Sequence, residues 1–324
     1  MFKEVIREIE KANKIYITGH INPDGDSIGS VFGLYFALKK IGKDVLPILS
    51  NYSSVFSFMP NISDGVESVK EDEYDLLICV DSSSKARLAI KEEDFDKAKT
   101  VIMIDHHQKD MPYGKVNAID SSLPAASELI YDLVKEMNIE FDETIASYIY
   151  MGLMTDTGSF NYASTKPSTM RAAADLISVG IDFSEICKKI NDTIKESKLF
   201  LIEKAISNME VFYDGKVRYT FVDYDTISAL GVDEEEAEGM TNYLRKVENT
   251  EVAVYVRGKQ NGTLKVSMRS NGKVDIAKIA ISFGGGGHVR ASGYTMNLEN
   301  STYEKEKQKL IDLIGVNLND DFSG

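Results

Sequence analysis

Residues 14–30 read KIYITGHINPDGDSIGS, and three structural events follow one another within them. Residues 14–18 are a short apolar run rich in β-formers, which predicts a buried strand. The loop after it carries His20, Asp24 and Asp26, and from about residue 27 to 40 the apolar residues take helical spacing. The strand signal then recurs at 44–49, at 75–80 (DLLICV, ending at Asp81) and at 100–104 (TVIMI, ending at Asp105). Helical patterns cover about 125–137 and 142–154. Apolar strands alternating with helices predict an α/β fold whose N-terminal part is a mainly parallel sheet flanked by helices. Open sheets of this kind bind ligands just past the carboxyl ends of their strands. His20, Asp81 and His106 all fall at such ends.

The second half is different in kind. Residues 183–209 (FSEICKKINDTIKESKLFLIEKAISNM) contain no Pro or Gly and read as one long charged connector helix. Beyond it, 216–222, 251–257 and 263–270 alternate as strands, 294–297 adds a shorter one, and 233–245, 274–282 and 303–314 read as helices. The expected organisation is a catalytic domain over 1–182, the connector over 183–209, and a smaller α/β domain with a mixed sheet over 210–324.

The chain has four histidines, and each lies beside an Asp cluster or a glycine run. His20, Asp24 and Asp26 share one loop, in which Gly25 permits a tight bend. His106 and His107 follow Asp105, and Asp156 stands at the end of a helical pattern. Each piece alone has an ordinary reading: a solvated Asp-Gly-Asp turn, a helix cap at Asp81 or Asp156, a satisfied histidine at a strand end. Together they form a ligand set of imidazoles and carboxylates without thiolate, suited to hard or borderline divalent ions. Mn²⁺ is favoured, with Mg²⁺ or Co²⁺ as alternatives. Six ligands (His20, Asp24, Asp26, Asp81, His106 and Asp156) are too many for one ion that must also hold water and substrate, and enough for two that share a carboxylate.

Near the C-terminus, Gly284, Gly285, Gly286 and Gly287 precede His288 and Arg290. Backbone N–H groups free of side chains can form an anion nest. Arg257 and Arg269, at the ends of two expected strands, are further phosphate candidates. Phe160, Tyr162 and Phe283 are candidates for base stacking or for the core.

The net charge of −14 argues against a grip on long nucleic acid, which requires a basic footprint. A short, charged substrate held through metal ions fits better. Residues 1–10 mix acids into an amphipathic pattern and lack the apolar core of a signal peptide, and no uncharged run approaches membrane-spanning length. Cys79 and Cys187 lie in apolar or helix-like contexts and read as reduced thiols, so the expected location is the cytoplasm, away from the membrane.

In order, Gly19-His20-x-Asn22-Pro23-Asp24-Gly25-Asp26-Ser27, Val80-Asp81, Asp105-His106-His107 and Thr155-Asp156-Thr157-Gly158 resemble the four motifs of the DHH phosphoesterases. The segment from Gly284 through His288 to Ala291-Ser292-Gly293 is similar to the signature of their associated C-terminal domain. The resemblance covers essentially the whole chain, and at this length it is strongest to the bacterial nanoRNase/pAp phosphatases. It implies a two-metal phosphoesterase that degrades very short oligoribonucleotides to mononucleotides and converts 3′-phosphoadenosine 5′-phosphate (pAp) to AMP. His20 and Asp24 would hold one ion, Asp26, His106 and Asp156 the other, and Asp81 would bridge them. Asp105 would orient the site, and His107 would face the substrate or protonate the leaving oxygen. Gly285, Gly286, Gly287, His288 and Ser292 would receive the substrate in a cleft between the domains. Where the pattern often has a basic residue after Thr-Asp-Thr-Gly, this chain has Ser159, Phe160 and Asn161. That departure leaves open cyclic di-AMP, its linear product pApA, or polyphosphate as substrate, and a nucleotide sensor without turnover as the rival of another class. The oligomeric state is open, a homodimer being one option.

Overall fold

The computed structural model describes residues 1–107, 112–234, 236–272, 274–299 and 301–319. It divides into two compact units, Met1–Thr193 and Ile194–Gly324.

The first unit runs α1 (Lys3–Lys11), β1 (Lys14–Thr18), α2 (Gly25–Lys40), β2 (Asp44–Ile48), β3 (Tyr74–Val80), α3 (Glu92–Phe95), β4 (Ala98–Asp105), β5 (Val116–Ile119), α4 (Ala126–Glu136), α5 (Glu143–Asp156), α6 (Pro167–Ser178) and α7 (Phe183–Asn191). Its five strands are all parallel, in the order β2-β1-β3-β4-β5. The order reverses between β1 and β3, which makes that edge the topological switch point where such sheets take ligands. One face carries the main core, in which Ile15, Ile17, Ile78 and Ile104 meet Ile28, Phe32, Ile130, Ile149 and Leu153 of α2, α4 and α5. The opposite face, with Tyr16, Tyr74, Leu77 and Cys79, is covered by Val69, Leu88, Phe95 and Tyr113 from irregular segments and the short α3.

Helix α2 is buried around nearly its whole first half, because it is sandwiched between the sheet and α5. Its axis can come so close only because Gly29 and Gly152 meet without side chains. A Cβ on Gly29 would lie 2.5 Å from the Tyr148 carbonyl oxygen. Asp24 caps the helix, its Oδ1 accepting the N–H groups of Asp26 (3.1 Å) and Ser27 (3.0 Å).

The second unit runs α8 (Glu196–Ser207), β6 (Glu210–Phe212), β7 (Val217–Val222), α9 (Tyr224–Ala229), α10 (Met240–Leu244), β8 (Val252–Gly258), β9 (Leu264–Ser270), α11 (Ile276–Ser282), β10 (Gly286–His288), β11 (Ala291–Met296) and α12 (Tyr303–Asn319). The sheet order is β10-β11-β9-β8-β7-β6, with β7 and β8 parallel and the other pairs antiparallel. Val254, Val256, Val266 and Met268 pack with α11 and α12 on one face, while Tyr255 and Val222 pack with α8 and α9 on the other.

Three expectations are corrected. The connector expected over 183–209 is two helices, α7 and α8, separated at 192–195. Asp192 and Thr193 end α7, the Thr193 hydroxyl turning back 2.9 Å onto the Lys188 carbonyl, a local bond that competes with helix continuation. The helix expected over 233–245 shrinks to α10, because the acidic residues before it are engaged by lysines and an arginine in a non-helical loop. Helix α6, opened by Pro167 at its first position, has no counterpart among the expected elements.

Candidate metal centre

Neighbouring strands β1, β3 and β4 deliver His20, Asp81 and Asp105-His106-His107 to one edge, since the registers pair Thr18 with Cys79 and Val80 with Ile104. Asp81 begins its loop at φ +50°, a left-handed conformation that Asp tolerates better than most residues. Asp26, at the start of α2, and Asp156, at the end of α5, arrive from the helix side.

The donor atoms form three overlapping groups, the members of each lying within 4.8 Å of one another: His20, Asp24 and Asp81; Asp26, His106 and Asp156; Asp81, Asp105, His106 and His107. Asp81 joins them. Its Oδ2 lies 3.5 Å from His20 Nε2, and its Oδ1 lies 3.4 Å from His106 Nε2. His106 Nε2 is also 3.4 Å from Asp156 Oδ2 and 3.9 Å from Asp26 Oδ2, and His20 Nε2 is 3.7 Å from Asp24 Oδ1. The far nitrogen of each ring faces a backbone carbonyl, His20 Nδ1 on Ile21 at 2.9 Å and His106 Nδ1 on Leu123 at 3.4 Å. That arrangement fixes the tautomer that leaves Nε2 as the ligand atom.

Asp26 is buried, and the start of α4 holds it: Ala126 N–H donates to Oδ2 (2.6 Å) and Ser127 N–H to Oδ1 (2.9 Å). Sequence reasoning missed Ala126 and Ser127, about a hundred residues from Asp26, and Leu123, 17 residues from His106, because a backbone group that supports a distant side chain leaves no local signal. Asp105 is fully buried and accepts from both the N–H and Nδ1 of His107, at 3.1 and 2.8 Å. Its Oδ2 has no partner among the described residues.

The electrostatics fit a cation site. Among the described residues, Asp26, Asp81 and Asp105 form ion pairs only with histidine. Burial, reinforced by Asp81 and Asp156, raises Asp26 well above the carboxylate range. Burial likewise lifts Asp156 to about 6, against the pull of His106. Burial opposes charge on His20 and His106, yet the surrounding carboxylates outweigh it and raise both to about 10. Protons thus stand where divalent cations would resolve the same crowding.

Residues 14–153 match the DHH family, N-terminal domain, and residues 214–316 match the DHHA1 domain. A bifunctional oligoribonuclease and PAP phosphatase (NrnA) from Thermus thermophilus is 32% identical over 297 residues, covering 90% of this chain and 86% of its own. This chain belongs to the DHH family. The DHH chain is also 28% identical to the bifunctional oligoribonuclease and PAP phosphatase of Bacillus subtilis, over 90% of its own length and 92% of the relative's. Among solved structures, an exopolyphosphatase-related protein from Bacteroides fragilis superposes with a TM-score of 0.87 at 28% identity, covering 98% of the DHH chain and 97% of that one. With these relatives and this donor set, the chain is a metal-dependent hydrolase of phosphate esters.

In the DHHA1 unit the glycine run is ordered rather than a free nest. The N–H groups of Gly284 and Gly285 close the end of α11 on the carbonyls of Ile281 and Ala280 (3.0 and 2.9 Å). The Gly285 amide is therefore already engaged, a correction to its expected place with Gly286, Gly287 and His288 as a receiver of the substrate. Gly286, Gly287 and His288 form β10 and pair with Gly293, Ser292 and Ala291. Gly287 sits at φ +139°, with no room for a Cβ beside the Ala291 carbonyl (2.5 Å). Ala291 is also in register with Arg269, so His288 and Arg269 lie in one row across β10, β11 and β9. Ser292 Oγ donates to the His288 carbonyl at 2.6 Å, and Arg290 is exposed. Arg257 stands apart, buried on β8 and paired with Glu238 at 2.8 Å. Phe160 packs against the core of the first unit, Tyr162 is exposed, and Phe283 stacks on Tyr294.

Proposed function

We propose that this chain hydrolyses short oligoribonucleotides to mononucleotides and pAp to AMP, in the cytoplasm, with two divalent ions of which Mn²⁺ is favoured. One observation carries the reading: the two oxygens of buried Asp81 face two different histidine-carboxylate groups. His20 and Asp24 would hold one ion, Asp26, His106 and Asp156 the second, and Asp81 both. Such ions supply charge neutralisation at the phosphoryl oxygens and acidify water, the chemistry of two-ion phosphoesterases.

The protein residues do the rest. Asp105 accepts the hydrogen bond of His107 Nδ1–H, which leaves Nε2 as the atom that serves the leaving oxygen, and the His107 side chain is 41% exposed. The carbonyls of Ile21 and Leu123 hold the two ligand rings in place. The row of Gly286, Gly287, His288 and Arg269, with Ser292 and Arg290 beside it, is the proposed receiver for the remainder of a short substrate. The names of the relatives in Thermus and Bacillus support the nucleotide reading.

The test is product analysis with Mn²⁺ on pAp, pApA, cyclic di-AMP, polyphosphate, and RNA of two to five and of about twenty nucleotides. Mononucleotides from the short RNAs together with AMP from pAp are the expected result. Preference for cyclic di-AMP or pApA would move the chain to second-messenger turnover. Preference for polyphosphate would align it with the name of the Bacteroides structure, and inactivity on every substrate would favour a sensor.

A further inference from the structure

In the second unit an acidic loop carrying Asp233, Glu234, Glu236 and Glu238 is held by cations from three elements. Lys195, capping α8, lies 2.6 Å from Glu236 Oε1 and 3.5 Å from Asp233 Oδ2, and Lys198 of α8 donates to the carbonyls of Glu236 and Glu238. Lys259 reaches Glu234 at 3.4 Å. At the end of the loop, Glu238 Oε1 takes both Arg257 Nη2 (2.8 Å) and Lys265 Nζ (2.7 Å). Arg257 and Lys265 are opposite each other in the β8–β9 ladder, and Tyr255 shares their face of the sheet.

The donors here outnumber what Glu238 accepts. The Arg257 side chain is 4% exposed, yet its Nε has no hydrogen-bond partner among the described residues, and neither has the buried Tyr255 hydroxyl. A planar guanidinium is built to hold two oxygens at once, and here one carboxylate oxygen serves it and a lysine together. Leaving such donors buried and unpaired is costly, and a ligand with more oxygens would remove that cost. Lys198 nearby is pulled down to about 8 by burial, against the pull of Glu236 and Glu238. Glu238 is half exposed and is the covering group.

We propose that Arg257, Lys265 and Tyr255 form a phosphate-binding site that Glu238 fills as an internal carboxylate, and that a substrate phosphate other than the scissile one displaces it. The identity of that ligand rests on the phosphoesterase reading; binding of phosphate itself does not. The site is distinct from the His288–Arg269 row, and the loop would act as a built-in competitor that weak anions do not displace.

The probe is inorganic phosphate titrated calorimetrically into the full chain in EDTA at constant ionic strength, so that neither metal binding nor turnover contributes. Glu238→Gln should bind phosphate about tenfold more tightly or better, because removing an internal competitor restores the competent fraction. Adding Lys265→Gln to that variant should return the affinity to the parent value. Glu238→Asp, which draws the carboxylate back by one methylene, should tighten binding in the same direction and serves if the Gln variant fails to melt cooperatively. A cooperatively melting Glu238 variant that binds no more tightly than the parent would overturn the proposal, and so would a gain that survives Lys265→Gln. If phosphate binds as expected but no phosphate ester is cleaved, the catalytic reading fails and this one stands.

Discussion

Asp81 concentrates the chemistry of the site in one side chain. It is buried, sits at a positive φ and shows each of its oxygens to a different histidine. Asp81→Asn keeps a residue that accepts the left-handed backbone and removes the shared charge. Hydrolysis with saturating Mn²⁺ should fall at least about a hundredfold, since even outer supports of a metal site cost ten- to a hundredfold. Near-normal turnover in this variant would eliminate the two-ion scheme. The titrations give a second prediction, whose sign follows from which form binds metal. His20 and His106 carry protons up to about 10 in the metal-free chain and must lose them to become ligands, and Asp156 has its own to lose only below about 6. Mn²⁺ affinity should therefore rise with pH from 6 towards 10, and drop more steeply below 6, where a further proton has to leave. Calorimetry in buffers of different ionisation heat would show proton release at pH 7.5; uptake or no exchange would contradict the assignment. At this scale the sequence was informative, because the six expected ligands fall into groups whose donor atoms lie within 4.8 Å of one another. It was silent on the carbonyls and amides that hold them, which carry no residue identity.

Elements place those residues, and the tightest placement is α2 against α5. Gly29→Ala would drive a methyl into the Tyr148 carbonyl, and Gly152→Ala would place one 1.9 Å from Ser127 Oγ and 2.9 Å from Asp26 Oδ1. Both should lose about 1–3 kcal/mol in urea unfolding, the usual cost of overpacking. Gly152→Ala should weaken Mn²⁺ binding the more, because it presses directly on Asp26 and its support Ser127, whereas Gly29→Ala presses on the backbone of Tyr148 and Gly152. Equal effects of the two on metal affinity would show that helix spacing, rather than the Ser127–Asp26 contact, governs the site. Strand signals survived best from sequence to structure, since β1, β3, β4, β8 and β9 are apolar or cleanly alternating runs ended by polar residues. Helix continuity did not survive. The absence of Pro and Gly over 183–209 does not guarantee a helix when Thr193 can bond back to Lys188. Asp233, Glu234, Glu236 and Glu238 fit a helical pattern until lysines and an arginine from other elements engage them.

For the molecule as a whole, the carboxylates gathered at one sheet edge oppose folding until a cation joins them. Mn²⁺ at a hundred times its dissociation constant should stabilise the chain by about 2.7 kcal/mol per site. Scanning calorimetry with and without EDTA would read this as a rise in Tm, and a rise of the same size in Asp81→Asn would place the stabilising ion elsewhere. Among the described residues no helix is long and apolar enough to cross a membrane. The sequence by itself determined the parallel α/β frame, the mixed sheet of the second half, the candidate ligand residues and the reaction class, because local periodicity and the choice of His and Asp are written along the chain. Only the tertiary structure decided that Asp26 rests on the start of α4, that the Gly285 amide closes a helix, and that Arg257 is covered by Glu238. These depend on which distant backbone or charge arrives at a given point, and one-dimensional spacing does not encode that.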